Sequence, residues 1–440
     1  MSILLIFLYL KIGILPQVFA FSMISVYKIM NSRTLSNTKK SPPYITLWHK
    51  ADKKMHSNTH LHMKVKVGLV GLPNVGKSTL FNSITQKSIA SAENFPFCTI
   101  TPNVSPIPLP DKNLHDIADI AKSKKVAPAR IELIDVAGLV KGASRGEGLG
   151  NQFLATVREC HCIIHVLRSY INDDIVHVHG EVDPLLDAEV VSLELLLADL
   201  DHVKRRLDRI TPQKNMEEKK VLEKILHNLE KSIPARCINL SEKEQFLIKS
   251  MGLLTLKPVI YAFNVDDVDF TLNREEALSN AESIMKQIQY QDIAKDKFAL
   301  VSAKFEEEFT SMNKDEQIEY LNALGIDDKT EDISSSLSFS MLPTLAREIL
   351  DLSICYTGPG VPPNKSQTTK SYLFSHMTAY DLAGRLHGDI LRGFIRAEVI
   401  NTNDFLKFES YNAAKESGFV RVEGKDYVIQ SEDIVLIKWR

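Results

Sequence analysis

Val65-Lys-Val-Gly-Leu-Val70-Gly71-Leu-Pro-Asn74-Val75-Gly76-Lys77-Ser78-Thr79-Leu-Phe-Asn-Ser-Ile84 is the stretch on which the fold turns. An apolar run of strand composition leads into G-x-x-x-x-G-K-S, and a helix-like segment follows. Each residue type in the loop answers a need of a bound polyphosphate. Gly71 and Gly76 let the backbone turn and aim its N–H groups at phosphate oxygens. Lys77 neutralises the β- and γ-phosphates, and the Ser78 hydroxyl is a ligand for Mg²⁺. The helix that starts here adds the positive end of its dipole. Strand, loop and helix in this order predict a P-loop α/β fold with Asn74, Val75, Gly76, Lys77, Ser78 and Thr79 on the nucleotide. Lys77 is also a catalytic candidate.

Further parts of a nucleotide switch follow in order, each at the end of a strand-like run. Arg130 to Ile134 delivers Asp135-Val-Ala-Gly138, in which Asp135 holds Mg²⁺ through water and the Gly138 N–H meets the γ-phosphate. Upstream, Asn94-Phe-Pro-Phe-Cys-Thr99 offers the Thr99 hydroxyl as a further metal ligand. Lys257-Pro-Val-Ile-Tyr-Ala-Phe delivers Asn264-Val265-Asp-Asp267, and Phe298-Ala-Leu-Val delivers Ser302-Ala303-Lys304. Base-reading groups belong at such strand ends in an open α/β sheet. Asn264, Val265, Asp267, Ser302, Ala303 and Lys304 are therefore expected around the base.

Length and composition bound the rest. A chain of 440 residues with 44% apolar and 25% charged residues is an ordinary globular protein of two to three domains. The net charge of −2 conceals an asymmetry, because residues 1–62 carry eight Lys/Arg against the single acid Asp52. The acidic remainder is no general nucleic-acid coat, so any RNA contact is local. Five cysteines at unpatterned positions suit a reducing compartment. Cys160-His-Cys162-Ile-Ile-His165 fits no zinc spacing and reads as a buried strand.

Residues 1–62 read as an address outside the fold, disordered or cleaved. An apolar run interrupted by Lys11 and Pro16 is followed by a Ser-, Asn-, Thr- and Lys-rich stretch, a signal-then-transit composition. That predicts an organelle, a plastid of secondary origin or a mitochondrion. A mis-called start with Met63 as initiator, hence a cytoplasmic protein, and a single membrane anchor are the alternatives. The mature body is expected as a monomer without stable membrane association.

Gly71-Leu-Pro-Asn-Val-Gly-Lys-Ser, Asn94-Phe-Pro-Phe-Cys-Thr-Ile, the run from Asp135 to Asn151, Asn172-Asp-Asp-Ile-Val-His177-Val, Gly393-Phe-Ile-Arg-Ala-Glu and Glu423-Gly-Lys-Asp-Tyr-Val-Ile together resemble the YchF/Obg-like ATPase family. The resemblance spans nearly all of residues 64–440. It implies a G domain at 64–350, interrupted at 187–252 by a helical coiled-coil arm, and a C-terminal TGS-like β-grasp domain at 353–440. It also implies ribosome or ribosomal-RNA association and a preference for ATP over GTP. Tyr356-Thr-Gly-Pro-Gly-Val-Pro-Pro-Asn departs from the family pattern.

The arm is legible by itself: Val190, Leu193, Leu197, Leu200 and Leu207 fall at heptad-like spacing. Thr211-Pro212 breaks that helix, and Val221, Ile225 and Leu229 start another. In the tail, Phe394–Ile400, Tyr427–Gln430 and Ile434–Trp439 read as strands, on a nearly even charge of 11 basic against 10 acidic residues over 353–440.

Leu139 stands where many switch GTPases carry the Gln that orients the attacking water, and it forms no hydrogen bond. His177 is the catalytic candidate in its place, in a loop that the resemblance makes mobile; a structural histidine is the alternative. Asn74 raises K⁺ dependence as an expectation. Asn264-Val265-Asp-Asp267 keeps a guanine-type acid without the usual Lys, so ATP is favoured and GTP stays open. A nucleotide-dependent binding protein without appreciable turnover, and a small-molecule kinase, are the competing classes.

Overall fold

A computed structural model describes residues 64–92, 103–136, 149–172, 174–178, 180–210, 215–288, 296–323, 336–358 and 368–440. The targeting extension read in residues 1–62, and Thr99, Gly138 and Leu139, lie outside the described residues.

The strands of the first half are β1 (Val65–Val70), β2 (Val104–Pro108), β3 (Lys125–Ala127), β4 (Arg130–Asp135), β5 (Cys162–Arg168), β6 (Val259–Asn264) and β7 (Lys297–Val301). Six of them form one sheet in the order β2-β4-β1-β5-β6-β7. Its pairs are parallel except β2 with β4. β5 and β6 are buried along their whole length, as parallel strands with helices on both faces must be. That explains the Cys160–His165 stretch: Cys160, Cys162 and His165 are all buried, and burial pushes the Cys160 thiol up to about 11.

The helices that place the site are α1 (Lys77–Ala92), α2 (Lys112–Ile120), α3 (Leu149–Glu159), α4 (Pro184–Arg209), α5 (Met216–Leu229), α6 (Glu242–Ile248), α7 (Arg274–Gln287), α8 (Ala303–Ser311) and α9 (Ser338–Ile349). Asp183 caps α4 through its carboxylate, with Pro184 in the first turn. The residues that α4 buries are Asp187, Ala188, Val191, Leu195, Leu196, Ala198, Asp199 and Val203, not the stripe expected from spacing. Val190, Leu200 and Leu207 are only partly buried. The reason is that one helix serves several partners: Ala188 packs with Leu167, Tyr261 and Phe263. Val191, Leu195 and Ala198 join the main core, whereas Leu196 and Val203 pack with Val221, Leu222, Ile225 and Leu229 of α5. Asp199 roots this hairpin by accepting from Leu254 N, Thr255 N and the Thr255 hydroxyl at 2.8–3.0 Å.

The tail adds β8 (Ser353–Thr357), β9 (Thr368–Phe374), β10 (Phe394–Asn401), β11 (Arg421–Glu423) and β12 (Asp433–Trp439). With β3 they form a second, mixed sheet in the order β11-β10-β12-β8-β9-β3. Lys125–Ala127 pairs in parallel with Thr368–Lys370. Ala129 N donates to Ser371 Oγ at 2.8 Å, and the Tyr356 hydroxyl donates to the Asp111 carboxylate at 3.0 Å. The tail is thus bonded to the first half of the chain by backbone and side chains. The expected strand at Tyr427–Gln430 is reduced to a single bridge of Val428 with Thr378, in which Ala379 N donates to Tyr427 O and Ile429 N to Met377 O; beyond it the Gln430 N–H turns to the Asp433 carboxylate. Among the described residues no helix is long and apolar enough to cross a membrane.

Candidate functional site

The carboxyl ends of β1, β4, β5, β6 and β7 bring the expected residues to one rim of the first sheet. The loop after β1 is set by two backbone conformations. Gly76 has φ +89°, and a Cβ there would collide with the Asn264 amide, so only glycine fits. Asn74 also sits in the left-handed region, φ 62°, which asparagine tolerates better than most residues.

At the phosphate end, Lys77 is buried and its ammonium is ion-paired with Asp135 of β4. The Ser78 hydroxyl lies 3.4 Å from the other Asp135 oxygen. A hydroxyl and a carboxylate so close together are the hard oxygen donors that Mg²⁺ prefers. Thr79 is half-buried in the first turn of α1, and Val75 is fully buried. Val75 therefore offers the rim its backbone alone.

At the base end the geometry assigns Asn264 a role that its position at a strand end did not reveal. Its side chain is 2% exposed. The amide Nδ2 donates to Val75 O at 2.9 Å, and Oδ1 accepts from Ala303 N at 3.0 Å. One side chain thus ties the phosphate loop to the turn between β7 and α8. Ser302 is buried, caps α8 by accepting from Phe305 N, and donates its hydroxyl to Asp267 Oδ1 at 3.2 Å. Lys304 faces Asp267 Oδ2 at 3.4 Å, and this neighbour raises the Lys304 pKa. Val265 is buried, its N–H held by Val301 O at 2.9 Å. Asp267, Ser302, Ala303 and Lys304 are therefore one cluster, and Asn264 links it to Gly76, Lys77 and Ser78.

His177 is placed differently. It is 5% exposed, and its Nε2 lies 3.0 Å from Asp187 Oδ2 in the first turn of α4. The loop that carries it nonetheless touches the rim, because Asn74 Nδ2 donates to Val176 O at 3.1 Å. That bond uses Nδ2 of Asn74, the residue behind the potassium expectation, and not its Oδ1, the atom a cation would take. Asp187 was missed as the partner of His177, since it lies on the next element and reads as an ordinary first-turn helix acid. Arg168 was missed too, although a charged residue closing the apolar run Cys162–Leu167 is a visible signal.

Comparison with known proteins places this fold in a family. Residues 66–198 match a family described as a 50S ribosome-binding GTPase, and residues 366–440 match the C-terminal domain family of YchF GTPases, described as of unknown function. The chain is 40% identical over 385 residues to the ribosome-binding ATPase YchF of Haemophilus influenzae and 38% identical over 380 residues to that of Bacillus subtilis. Each alignment covers 85% of this chain and 98% of the relative. The YchF GTPase of Schizosaccharomyces pombe superposes with a TM-score of 0.71 at 30% identity, over 85% of this chain and 98% of that one. With the loop, the metal-type oxygen pair and the base-end cluster in one rim and relatives aligned almost end to end, the chain belongs to the YchF family.

Proposed function

We propose that this protein is a Mg²⁺-dependent nucleoside triphosphate hydrolase, with ATP favoured over GTP, whose nucleotide state controls its attachment to the ribosome. The observation that carries the reading is the convergence of Lys77 and Ser78 on Asp135 at the mouth of the loop. A triphosphate takes over the Lys77 ammonium, and Ser78 and Asp135 are the residues that would hold the metal. Mg²⁺ bound there supplies charge neutralisation for the transferred phosphoryl group. The names of the bacterial relatives, ribosome-binding ATPases, support both the activity and the partner.

Lys77→Ala is expected to abolish retention of ATP and GTP in a Mg²⁺-containing titration, and with it nucleotide-dependent cosedimentation with ribosomes. Wild-type protein that holds neither nucleotide overturns the proposal.

His177 orients the attacking water in this reading, after leaving Asp187. His177→Ala then lowers turnover and leaves nucleotide affinity intact; equal turnover in the variant removes the assignment. The burial of His177 against Asp187 favours a second reading, a nucleotide-dependent binding protein with negligible intrinsic turnover. Single-turnover hydrolysis with and without ribosomes separates the two.

A further inference from the structure

Arg168 is the largest fully buried side chain of the described residues, 1% exposed at the carboxyl end of β5. It pairs in register with Asn264 on β6, and Ser169 N donates to Asn264 O at 2.8 Å, so it stands beside the strut that joins the two ends of the site. A guanidinium taken out of water costs several kcal/mol unless its donors are satisfied. Here three backbone carbonyls, all from the loop that follows, each accept from a different nitrogen of the group. Nε donates to Tyr170 O at 3.2 Å, Nη2 to Asn172 O at 3.0 Å and Nη1 to Ile175 O at 3.0 Å. The Tyr170 ring covers the guanidinium at 4.8 Å, a cation–π contact. Among the described residues no carboxylate pairs with Arg168.

This arrangement fixes the path of the chain and not merely its presence. The planar fork reaches three carbonyls only while they face inward together. The residue after Ile175 is Val176, whose carbonyl then meets Asn74 Nδ2 at 3.1 Å. Asn74 itself is held in left-handed backbone, with its side chain on that carbonyl. The next residue is His177.

We propose that Arg168 is a positioning residue for the nucleotide site: it folds the loop after β5 so that Val176 O holds Asn74 and steadies the outer turn of the phosphate loop. The inference rests on the reading of that loop as a triphosphate site and adds the means by which it is kept in shape. Lysine at this place keeps the charge but presents its donors from a single point, so the three carbonyls are no longer gathered.

The test is a double-mutant cycle in the full chain with Arg168→Lys, Asn74→Gly (glycine adopts the left-handed backbone of Asn74 and removes only the side chain) and the combination, read as the dissociation rate of a fluorescent ATP analogue with Mg²⁺. Each single change is expected to speed release about tenfold, and the combination to be no faster than either alone, since both break one relay. Multiplying effects, or a wild-type rate for Arg168→Lys, overturn the proposal. Hydrogen exchange guards against a merely structural cause. In Arg168→Lys the amides of Asp174–Val178 should exchange faster, while those of Cys162–Leu167 stay as protected as in wild type. Loss of protection along β5 as well makes Arg168 a general fold residue and overturns the inference. Wild-type protein that binds no analogue removes the proposed function and this inference together, whereas normal wild-type binding with multiplying variants removes the inference alone.

Discussion

The two ends of the site are built on opposite plans. At the phosphate end Lys77, Ser78 and Asp135 are matched with one another, through contacts that a ligand can replace group for group. At the base end Asn264 and Ser302 are buried and bonded to backbone that belongs to the fold itself. The difference teaches where binding and stability part company. A side chain whose partners are other exchangeable side chains is removed mainly at the expense of binding, because a neighbouring side chain or water can take its place. One whose partners are buried backbone groups takes stability with it, because those groups are left without water or partner.

The sharpest way to break this comparison is Asn264→Ala beside Lys77→Ala. Asn264→Ala strands Val75 O and Ala303 N, and should cost about 2–4 kcal/mol of stability together with nucleotide binding. Lys77→Ala should lose binding with a smaller loss of stability than Asn264→Ala, since it breaks a largely buried ion pair but leaves Asp135 beside Ser78 and 15% exposed to water. Urea melts and nucleotide titrations of the two variants check both halves. A wild-type midpoint for Asn264→Ala would deny it the strut.

Next in size is a pH effect confined to the base end. Glu306 of α8 is fully buried behind Ser302, and its oxygens meet Ser338 N at 3.1 Å and the Ser338 hydroxyl at 2.6 Å. Burial pushes its carboxyl up to about 7, against the hydrogen bonds from Ser338 and Ser302 and the charge of Arg274, which lower it. The folded state thus holds this proton more tightly than the unfolded chain, whose value is near 4.5. Stability contributed by the protonated form is present below about 4.5 and is lost as pH rises through about 7. Glu306→Gln removes the charge and mimics the protonated acid: its oxygen can still accept from Ser338 N, and its NH2 donates to the Ser338 hydroxyl in the reversed direction. It should therefore flatten that slope and melt higher than wild type at pH 8, by on the order of 2 kcal/mol, with little difference at pH 4.5. Thermal melts at the two pH values decide it.

How much of this was legible follows the range of each interaction. The phosphate loop and the strand ends at Asp135, Asn264 and Ser302 could be read because their chemistry is written in a few consecutive residues. The direction of a side chain could not: Asn264 was expected at the base, and that its amide also bonds Val75 and Ala303, residues distant in sequence, was not legible. The same holds for His177, whose partner Asp187 lies on another element. β3 had no local signal at all, being three residues that become a strand only because Thr368–Lys370 lies alongside. On α4 the spacing gave a helix but the wrong buried stripe, since a heptad count assumes one partner and this helix packs into three apolar clusters.

The smallest effect tests the boundary between the plans. Lys304 is 73% exposed and reaches Asp267 from solvent, so the pair is worth little to stability; Lys304→Ala should leave the melting temperature unchanged. Its consequence lies in selectivity. Asp267 Oδ1 is engaged by the Ser302 hydroxyl and Oδ2 by the Lys304 ammonium, which leaves the carboxylate poorly placed to accept two hydrogen bonds from a guanine. Freed of Lys304, Oδ2 becomes available, and the ATP-to-GTP affinity ratio should move toward GTP by about twofold to fivefold, the scale of one exposed charged contact. A competition titration measures the ratio directly. Should ATP and GTP weaken together instead, the aliphatic stem of Lys304 packs on the purine face without discriminating between bases, and selectivity then rests on Asp267 with Ser302 alone.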